Sequence, residues 1–360
     1  MKNVKKKYLV LVTSYPDNNG NKDLNYVHTR IIEYVRNGMD VTVLNFNAHS
    51  SYIIDGVRVI TINDYKSSQN DFDILISHAP NLRQHIRFIL KNANNFYSFI
   101  FFFHGHEVLR IQKVYPKPYD FKKVNYIKGK ILDLYDLFKL YVLRKIFKKF
   151  IKKSFFIFVS NWMLEEFEKW LHINRDELYN RYSIIYNNVN KIFEEESYNF
   201  YSPKIYDYIT IRSNLDESKY AIDIVCKLAN QSKDKSFLII GKGEYFKHYE
   251  KPENVLLIER NLNPKEIVEF LNLSKCALMP TRTDAQGVMM CEMATYGIPL
   301  ITSNISVCKE VFAEFKNVRY IDNELPQLQD FNFLFNNSKN EKYFNKNTVL
   351  KEISILKTNI

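Results

Sequence analysis

Two carboxylates lie eight residues apart: Asp284 precedes, and Glu292 interrupts as its only charge, the run Val288–Ala294, which otherwise reads as core with Val288, three methionines, Cys291 and Ala294. An ionised carboxylate buried without a partner is costly, and Glu is rarely fully buried unless paired. A ligand that Glu292 can hydrogen-bond would offset that cost. Two cations precede the pair. Arg212 follows the apolar run Tyr208–Ile211, and Lys219 stands at the start of a helical pattern. Arginine can grip two phosphate oxygens at once, with lysine beside it as a point charge. The plain alternative has both cations solvated and paired with Asp216, Glu217 or Asp223. Gly241-Lys242-Gly243 is a two-glycine turn that allows close approach of a ligand to backbone, although tight strand-to-helix turns use the same letters. A different chemistry is suggested by His78, His104, His106 and Glu107. Two histidines two residues apart in an extended segment point to one side, and with the other two residues they would suit a metal-dependent hydrolase.

The elements that would position these residues alternate. Apolar runs at Tyr8–Thr13, Val41–Phe46, Val57–Ile62, Phe72–Ser77, Ser98–Phe103 and Phe155–Ser160 are interleaved with helical patterns such as Tyr26–Arg36. Near-continuous apolar strands between helices predict parallel sheets covered on both faces. An acidic, then aromatic and polar stretch at Phe193–Lys204 reads as a linker. The alternation resumes with runs at Tyr208–Ile211, Phe237–Ile240, Val255–Glu259, Cys276–Pro280, Leu300–Thr302 and Val318–Ile321. The expected organisation is an α/β chain of two doubly wound, Rossmann-like domains. Residues 1–192 form the first, 193–325 the second, and 326–360 a tail, whose weak helical pattern Val349–Leu356 could return to the first domain. Ligands of such sheets bind outside the carboxyl ends of the strands. His78, His104, Arg212, Gly241 and Asp284 all follow strand runs.

Charge is concentrated. Eleven Lys/Arg and two Asp between Lys122 and Lys153 give that segment +9 of the chain's net +11. Apolar residues recur there at roughly helical spacing, so a basic amphipathic helix is expected. Lys139, Arg144, Lys145, Lys148, Lys149 and Lys152 would face an anionic membrane or an acceptor; a solvated domain helix is the alternative. No nucleic-acid motif accompanies the charge, and no nucleic-acid partner is expected. Cys226, Cys276, Cys291 and Cys308 lack CxxC spacing and read as reduced core residues of a cytoplasmic protein. No apolar run reaches the length of about 18 residues that a spanning helix needs.

The order Arg212, Lys219, Gly241-Lys-Gly243, then Pro280-x3-Asp284-x2-Gly287-x4-Glu292-Met-Ala-x2-Gly297-Ile-Pro299 resembles the retaining glycosyltransferases of family 4, with the two-domain GT-B fold. The resemblance is most specific over about 207–312 and extends more loosely to Tyr15-Pro16 with Gly20, His104-Gly105, Val159-Ser-Asn-Trp162 and Asn187-Asn-Val-Asn190. It implies two domains facing across a cleft and transfer of a sugar from a nucleotide-diphosphate donor to a glycan acceptor, without an essential metal or other cofactor. It further implies that Arg212 and Lys219 bind the diphosphate, Asp284 the transferred sugar and Glu292 the ribose. Gly241, Gly243 and backbone amides near Gln286 and Gly287 would help hold the donor, and His104 or His106 would face the sugar, His104 being favoured because the family pattern usually has a His at that strand end. Asp284 stands where the family more often has Glu, and Asn188 and Asn190 replace its usual Gly and Asp. With the basic segment, the expectation is an enzyme of surface-polysaccharide synthesis, peripheral at the inner face of the cell membrane and acting on a lipid-linked acceptor. A nucleotide-sugar 2-epimerase of the same layout and a non-catalytic membrane scaffold are the alternatives.

Overall fold

The apolar runs become buried parallel strands in the computed structural model, which describes residues 6–18, 20, 23–67, 71–123, 125–331 and 339–358. The chain divides into two compact units: Met1–Arg110, Leu134–Asn187 and Thr348–Ile360 in the first, Ile111–Asp133 and Asn188–Asn347 in the second. Segment 111–133, read from the sequence as part of the N-terminal domain, is therefore grouped with the second unit. Of the expected tail, residues 332–338 and 359–360 lie outside the described residues.

The first unit holds strands β1 (Lys7–Val12), β2 (Asp40–Asn45), β3 (Tyr52–Ile54), β4 (Val57–Ile60), β5 (Ile74–His78), β6 (Ser98–Phe103), β7 (Ser154–Phe158) and β8 (Tyr182–Ile184), in the order β3-β4-β2-β1-β5-β6-β7-β8. Among the described residues only β3 and β4 pair antiparallel. Asp55 and Gly56 turn that hairpin with φ of 47° and 79°, the conformation two-residue hairpin turns require. Every residue of β6 and β7 is buried, because helices cover both faces of the sheet. Helix α1 (Asn25–Arg36) contributes Val27, Ile31 and Tyr34 to the core. Helix α2 (Tyr126–Phe150) sends Phe147 against Phe101, Phe103 and Phe156, with ring centroids 4.8, 5.7 and 5.7 Å away. The C-terminal helix Val349–Thr358 buries Val349, Ile353 and Leu356. It is tied down by Tyr8, whose hydroxyl donates to the Leu356 carbonyl at 3.1 Å, and by a buried Arg30–Glu352 ion pair at 2.9 Å.

The second unit holds β9 (Tyr206–Asn214), β10 (Phe237–Lys242), β11 (Val255–Ile258), β12 (Ser274–Met279), β13 (Leu300–Ser303) and β14 (Val318–Ile321), parallel throughout, in the order β11-β10-β9-β12-β13-β14. The direction of winding reverses between β9 and β12. The crevice at the carboxyl ends of those two strands is the topological switch point, where doubly wound sheets bind ligands. Helix α3 (Ile222–Gln231) packs Ile222, Val225 and Leu228 inward. Helix α4 (Pro264–Asn272) opens on a reciprocal capping box between Asn263 and Glu266 with Pro264 in its first turn. Helix α5 (Val288–Tyr296) is bounded by two left-handed glycines, Gly287 at φ 74° and Gly297 at φ 101°. The four cysteines are buried and free. Among the described residues no helix is long and apolar enough to cross a membrane.

Candidate functional site

Arg212 lies on β9 at the switch point and is 5% exposed. Its Nη2 donates to the Pro280 carbonyl, just past β12, at 2.7 Å, so the guanidinium spans the ends of the two strands that flank the reversal. Its Nε is buried and makes no hydrogen bond among the described residues. The guanidinium carbon sits 4.9 Å from the centre of the Tyr220 ring. Burial lowers the Arg212 pKa, opposed by the negative charge of Asp284 and by Tyr220. A guanidinium nevertheless stays charged in proteins, and a buried charged donor left without an acceptor is destabilising. An anion at the switch point would satisfy it.

Lys219 is carried on a short 3₁₀ turn, Ser218–Tyr220, and does not start a helix. Ala221, at φ 54°, breaks the path between that turn and α3. The reversal turns the ammonium back between two aromatic rings, 5.0 Å from Tyr220 and 5.1 Å from Tyr115. Burial pulls its pKa down, but Tyr220, Tyr115, Asp284 and Glu217 together more than compensate and hold it above the ordinary lysine value. The turn is clamped from the β12 side. The amide of Arg282 and the hydroxyl of Thr281 donate to the Lys219 carbonyl at 2.8 and 3.0 Å, and Arg282 Nη1 donates to the Ser218 carbonyl at 2.8 Å. The guanidinium of Arg282 then grips Asp223 at 2.9 and 2.6 Å, and Tyr119 donates to the same carboxylate at 2.8 Å. Asp216 accepts the amides of Glu244 and Tyr245 at 2.6 and 2.9 Å. Two of the three carboxylates that could have neutralised Arg212 and Lys219 are thus committed elsewhere.

The loop after β12 brings in Asp284, whose Oδ1 accepts the amides of Gln286 at 3.2 Å and Gly287 at 2.9 Å. The sequence reading assigned those amides to a phosphate or sugar. In the structure they serve Asp284 itself, because the left-handed Gly287 curls the loop into a turn around its own carboxylate. The side chain of Gln286 is buried against Cys291, its Nε2 3.8 Å from Sγ. Four residues into α5, Glu292 accepts the Asn190 amide at 3.1 Å through Oε1. Burial pushes its pKa up to about 7, with that amide pulling the other way. The residue as a whole is only partly buried.

Gly241 and Gly243 have reasons within the fold. A Cβ on Gly241 would come within 2.0 Å of the Arg212 carbonyl oxygen, and one on Gly243 within 2.5 Å of Asp216 Oδ1. These glycines let the end of β10 cross tightly over β9 and hold the backbone that carries Arg212. Their letters were legible in the sequence; this packing role was not.

In the first unit, His104 follows β6, and its Nε2 lies 3.1 Å from His78 Nδ1 at the end of β5. The other ring nitrogen of each is buried without a partner among the described residues. Burial pushes both pKa values well below the ordinary histidine value, so the pair is neutral at neutral pH. Tyr26 packs edge-on against His104 at 4.8 Å. His106 is exposed on a 3₁₀ turn, so the extended segment expected to carry His104 and His106 together is not formed. Glu107 is buried and accepts the amides of His104 and Gly105 at 3.3 and 2.7 Å, which makes it the brace of this turn. Among the described residues no three His, Cys, Asp or Glu side chains are grouped to hold a metal ion. The basic segment is also redistributed. Lys139 is buried, donating to Asp136 at 2.8 Å and to the His106 and Leu109 carbonyls at 3.3 and 3.1 Å, and is not part of a basic surface. Lys145, Lys148, Lys149 and Lys152 are exposed, and Arg144 is partly so.

Sequence reasoning missed Tyr220, Tyr115 and Arg282. Tyr220 and Arg282 adjoin or lie between residues already singled out, and the positions were available to inspection. Tyr115 comes from segment 111–133, and no local pattern connects it with Lys219.

Residues 208–348 match the family model described as glycosyl transferases group 1. No relative among the curated proteins matches the sequence. Sucrose-phosphate synthase from Thermosynechococcus elongatus is similar in structure, with a TM-score of 0.63 and 11% identity over 91% of this chain and 88% of that one. An α,α-trehalose-phosphate synthase (UDP-forming) from Burkholderia vietnamiensis gives 0.58 and 10% over 91% and 88%. WaaG, a glycosyltransferase involved in lipopolysaccharide biosynthesis, gives 0.56 and 12% over 96% and 90%. The fold is that of GT-B glycosyltransferases, an α/β chain with two Rossmann-like sheets.

Proposed function

We propose that this chain transfers a sugar, with retention of configuration, from a nucleotide-diphosphate sugar to a glycan acceptor without an essential metal. The observation that carries the reading is Arg212: a charged, buried guanidinium at the switch point of the second unit, its Nε without a partner among the described residues, packed against the Tyr220 ring that the ammonium of Lys219 also faces. The match over residues 208–348 supports it, since that span contains Arg212, Lys219, Asp284 and Glu292.

Arg212 and Lys219 would take the diphosphate and stabilise the charge that grows on it as its bond to the sugar breaks, an electrostatic contribution that is often the largest in catalysis. Asp284 keeps Oδ1 on its own loop amides, leaving Oδ2 to orient a hydroxyl of the transferred sugar. Glu292, fixed by the Asn190 amide, would accept from the ribose hydroxyls. The acceptor is assigned to the first unit, where His104 is held neutral and able to exchange hydrogen bonds with a sugar hydroxyl. A lipid-linked acceptor in surface-polysaccharide synthesis, with the enzyme peripheral at the cytoplasmic face of a membrane, accords with the exposed lysines after α2 begins to enter the core.

The test is a panel of nucleotide sugars, scored for thermal protection and for products. Protection by one nucleotide diphosphate, with donor hydrolysis or transfer, is the expected result. Release of a free epimerised sugar would assign the chain to the epimerases instead. No protection by any nucleotide would remove the enzyme reading.

A further inference from the structure

Helix α2 leaves an apolar stripe uncovered. Leu134, Phe138 and Tyr141 are 65%, 60% and 59% exposed, and their spacing of four and three residues puts them on one face. Lys145, Lys148 and Lys152 continue the same spacing, the last on the 3₁₀ turn that follows the helix, and all three are exposed, with Lys148 in a surface ion pair to Glu177 at 2.6 Å that an anionic lipid would have to exchange. The opposite face is occupied: Leu140, Leu143, Ile146 and Phe147 are buried in the first unit. This stretch is apolar on both sides, and its outer side has no protein cover among the described residues. The only acids on α2 are Asp133 and Asp136, and Asp136 is buried against Lys139.

We infer that this stripe inserts into an anionic lipid surface, with Leu134, Phe138 and Tyr141 entering the boundary of the acyl chains and Lys145, Lys148 and Lys152 lying among the phosphates. The order of the stripe selects the occupant. A second copy packed along the whole stripe would set lysines against identical lysines if parallel, and lysines against the apolar half if antiparallel; a pair offset to join only the apolar halves would leave the basic half without a partner. A bilayer interface offers both media at once, hydrocarbon and anion, within the depth of about 5–10 Å to which interfacial helices sink. Lys145 over the Tyr141 ring, at 5.6 Å, marks the junction between the two halves. This deepens the proposed lipid-linked acceptor and rests on that reading for its purpose. It moves the anchor from the basic cluster alone to an inserted apolar element.

The experiment is co-sedimentation of the full chain with vesicles of phosphatidylcholine alone or mixed with phosphatidylglycerol, at low and high salt. Binding to the mixed vesicles is expected, with a fraction that survives high salt, because insertion is not screened as charge attraction is. Lys145→Ala/Lys148→Ala/Lys152→Ala should weaken low-salt partition roughly 100-fold, about fivefold per lysine. Leu134→Asp/Phe138→Asp should abolish the salt-resistant fraction. Phe138→Trp, a conservative probe, should shift its fluorescence to the blue on adding mixed vesicles. Absence of vesicle binding, an unshifted tryptophan, or aspartate variants that bind like the parent would overturn the inference. So would a dimer in light scattering that the same aspartates dissociate while vesicles go unbound, which would give the stripe to a second copy. Nucleotide binding, measured by calorimetry without vesicles, reports on the proposed enzyme separately: either result can fail while the other stands.

Discussion

Replacing Lys219 by Met isolates what its charge does. The methionine keeps an unbranched chain between the rings of Tyr115 and Tyr220, which lie about 5 Å from the ammonium, and removes only the cation. The structural cost should be small: each lost cation–π contact accounts for about 0.5–1 kcal/mol. The catalytic cost should be much larger. Two unit charges about 4 Å apart near a protein surface interact by about 4 kcal/mol. Only the share that increases on the way to the transition state accelerates the reaction. Losing one such donor to a developing anion typically costs about 2.7–4 kcal/mol, or 10²–10³-fold in kcat. Steady-state rates with the preferred donor, beside a thermal unfolding curve for each protein, provide the measurement. The expectation is a kcat lower by about 10²–10³ with KM changed far less and folding retained. Turnover within about tenfold of the parent, or a loss confined to KM, would refute the assignment of Lys219 to the leaving diphosphate.

Glu292→Ala should mainly weaken donor binding, whereas Asp284→Ala should mainly lower turnover; calorimetry and initial rates on the two variants distinguish these, and the reverse pattern would exchange their roles. Gly241→Ala should destabilise the second unit by about 1–3 kcal/mol, because the new Cβ meets a backbone oxygen of Arg212 at 2.0 Å, which cannot rotate away. An unchanged unfolding midpoint would contradict that. Glu352 has its pKa pushed up to about 7 from 4.5 by burial, with Arg30 opposing. A raised acid binds its proton more tightly in the native state, so its contribution is complete below pH 4.5 and is lost as pH rises through about 7. The neutral buried pair His78 and His104 acts in the opposite sense, with stability falling as pH drops below 6.5. Comparing urea unfolding of Glu352→Gln and the parent at acid and neutral pH isolates the glutamate; the parent should lose more stability than the variant as pH rises, by on the order of 2 kcal/mol. Equal losses would show that the carboxyl is not perturbed.

Periodicity and residue type were enough to read two parallel α/β sheets, because strands buried on both faces must be almost wholly apolar, as β6 and β7 are. They were also enough to single out Arg212, Lys219, Asp284 and Glu292, since charges and acids beside core-like runs need a reason wherever they occur. The short strands β3 and β8 were missed: at three residues each, on the sheet edges, they are too short for an alternation or an apolar run to stand out, although Asp55-Gly56 was a readable hairpin turn. What each polar group bonds to was settled only by the tertiary structure. Asp284 curls onto the amides of Gln286 and Gly287, Asp223 goes to Arg282, and Lys139 turns inward to carbonyls of residues some thirty positions earlier. Such choices depend on backbone direction and on partners distant in the chain, neither of which leaves a trace in local spacing. The same limit explains the grouping of segment 111–133 with the second unit, where Tyr115 meets Lys219, and the outward face of α2. Composition counted the lysines of that helix, but the face they occupy follows from which of its apolar residues the core had room to bury.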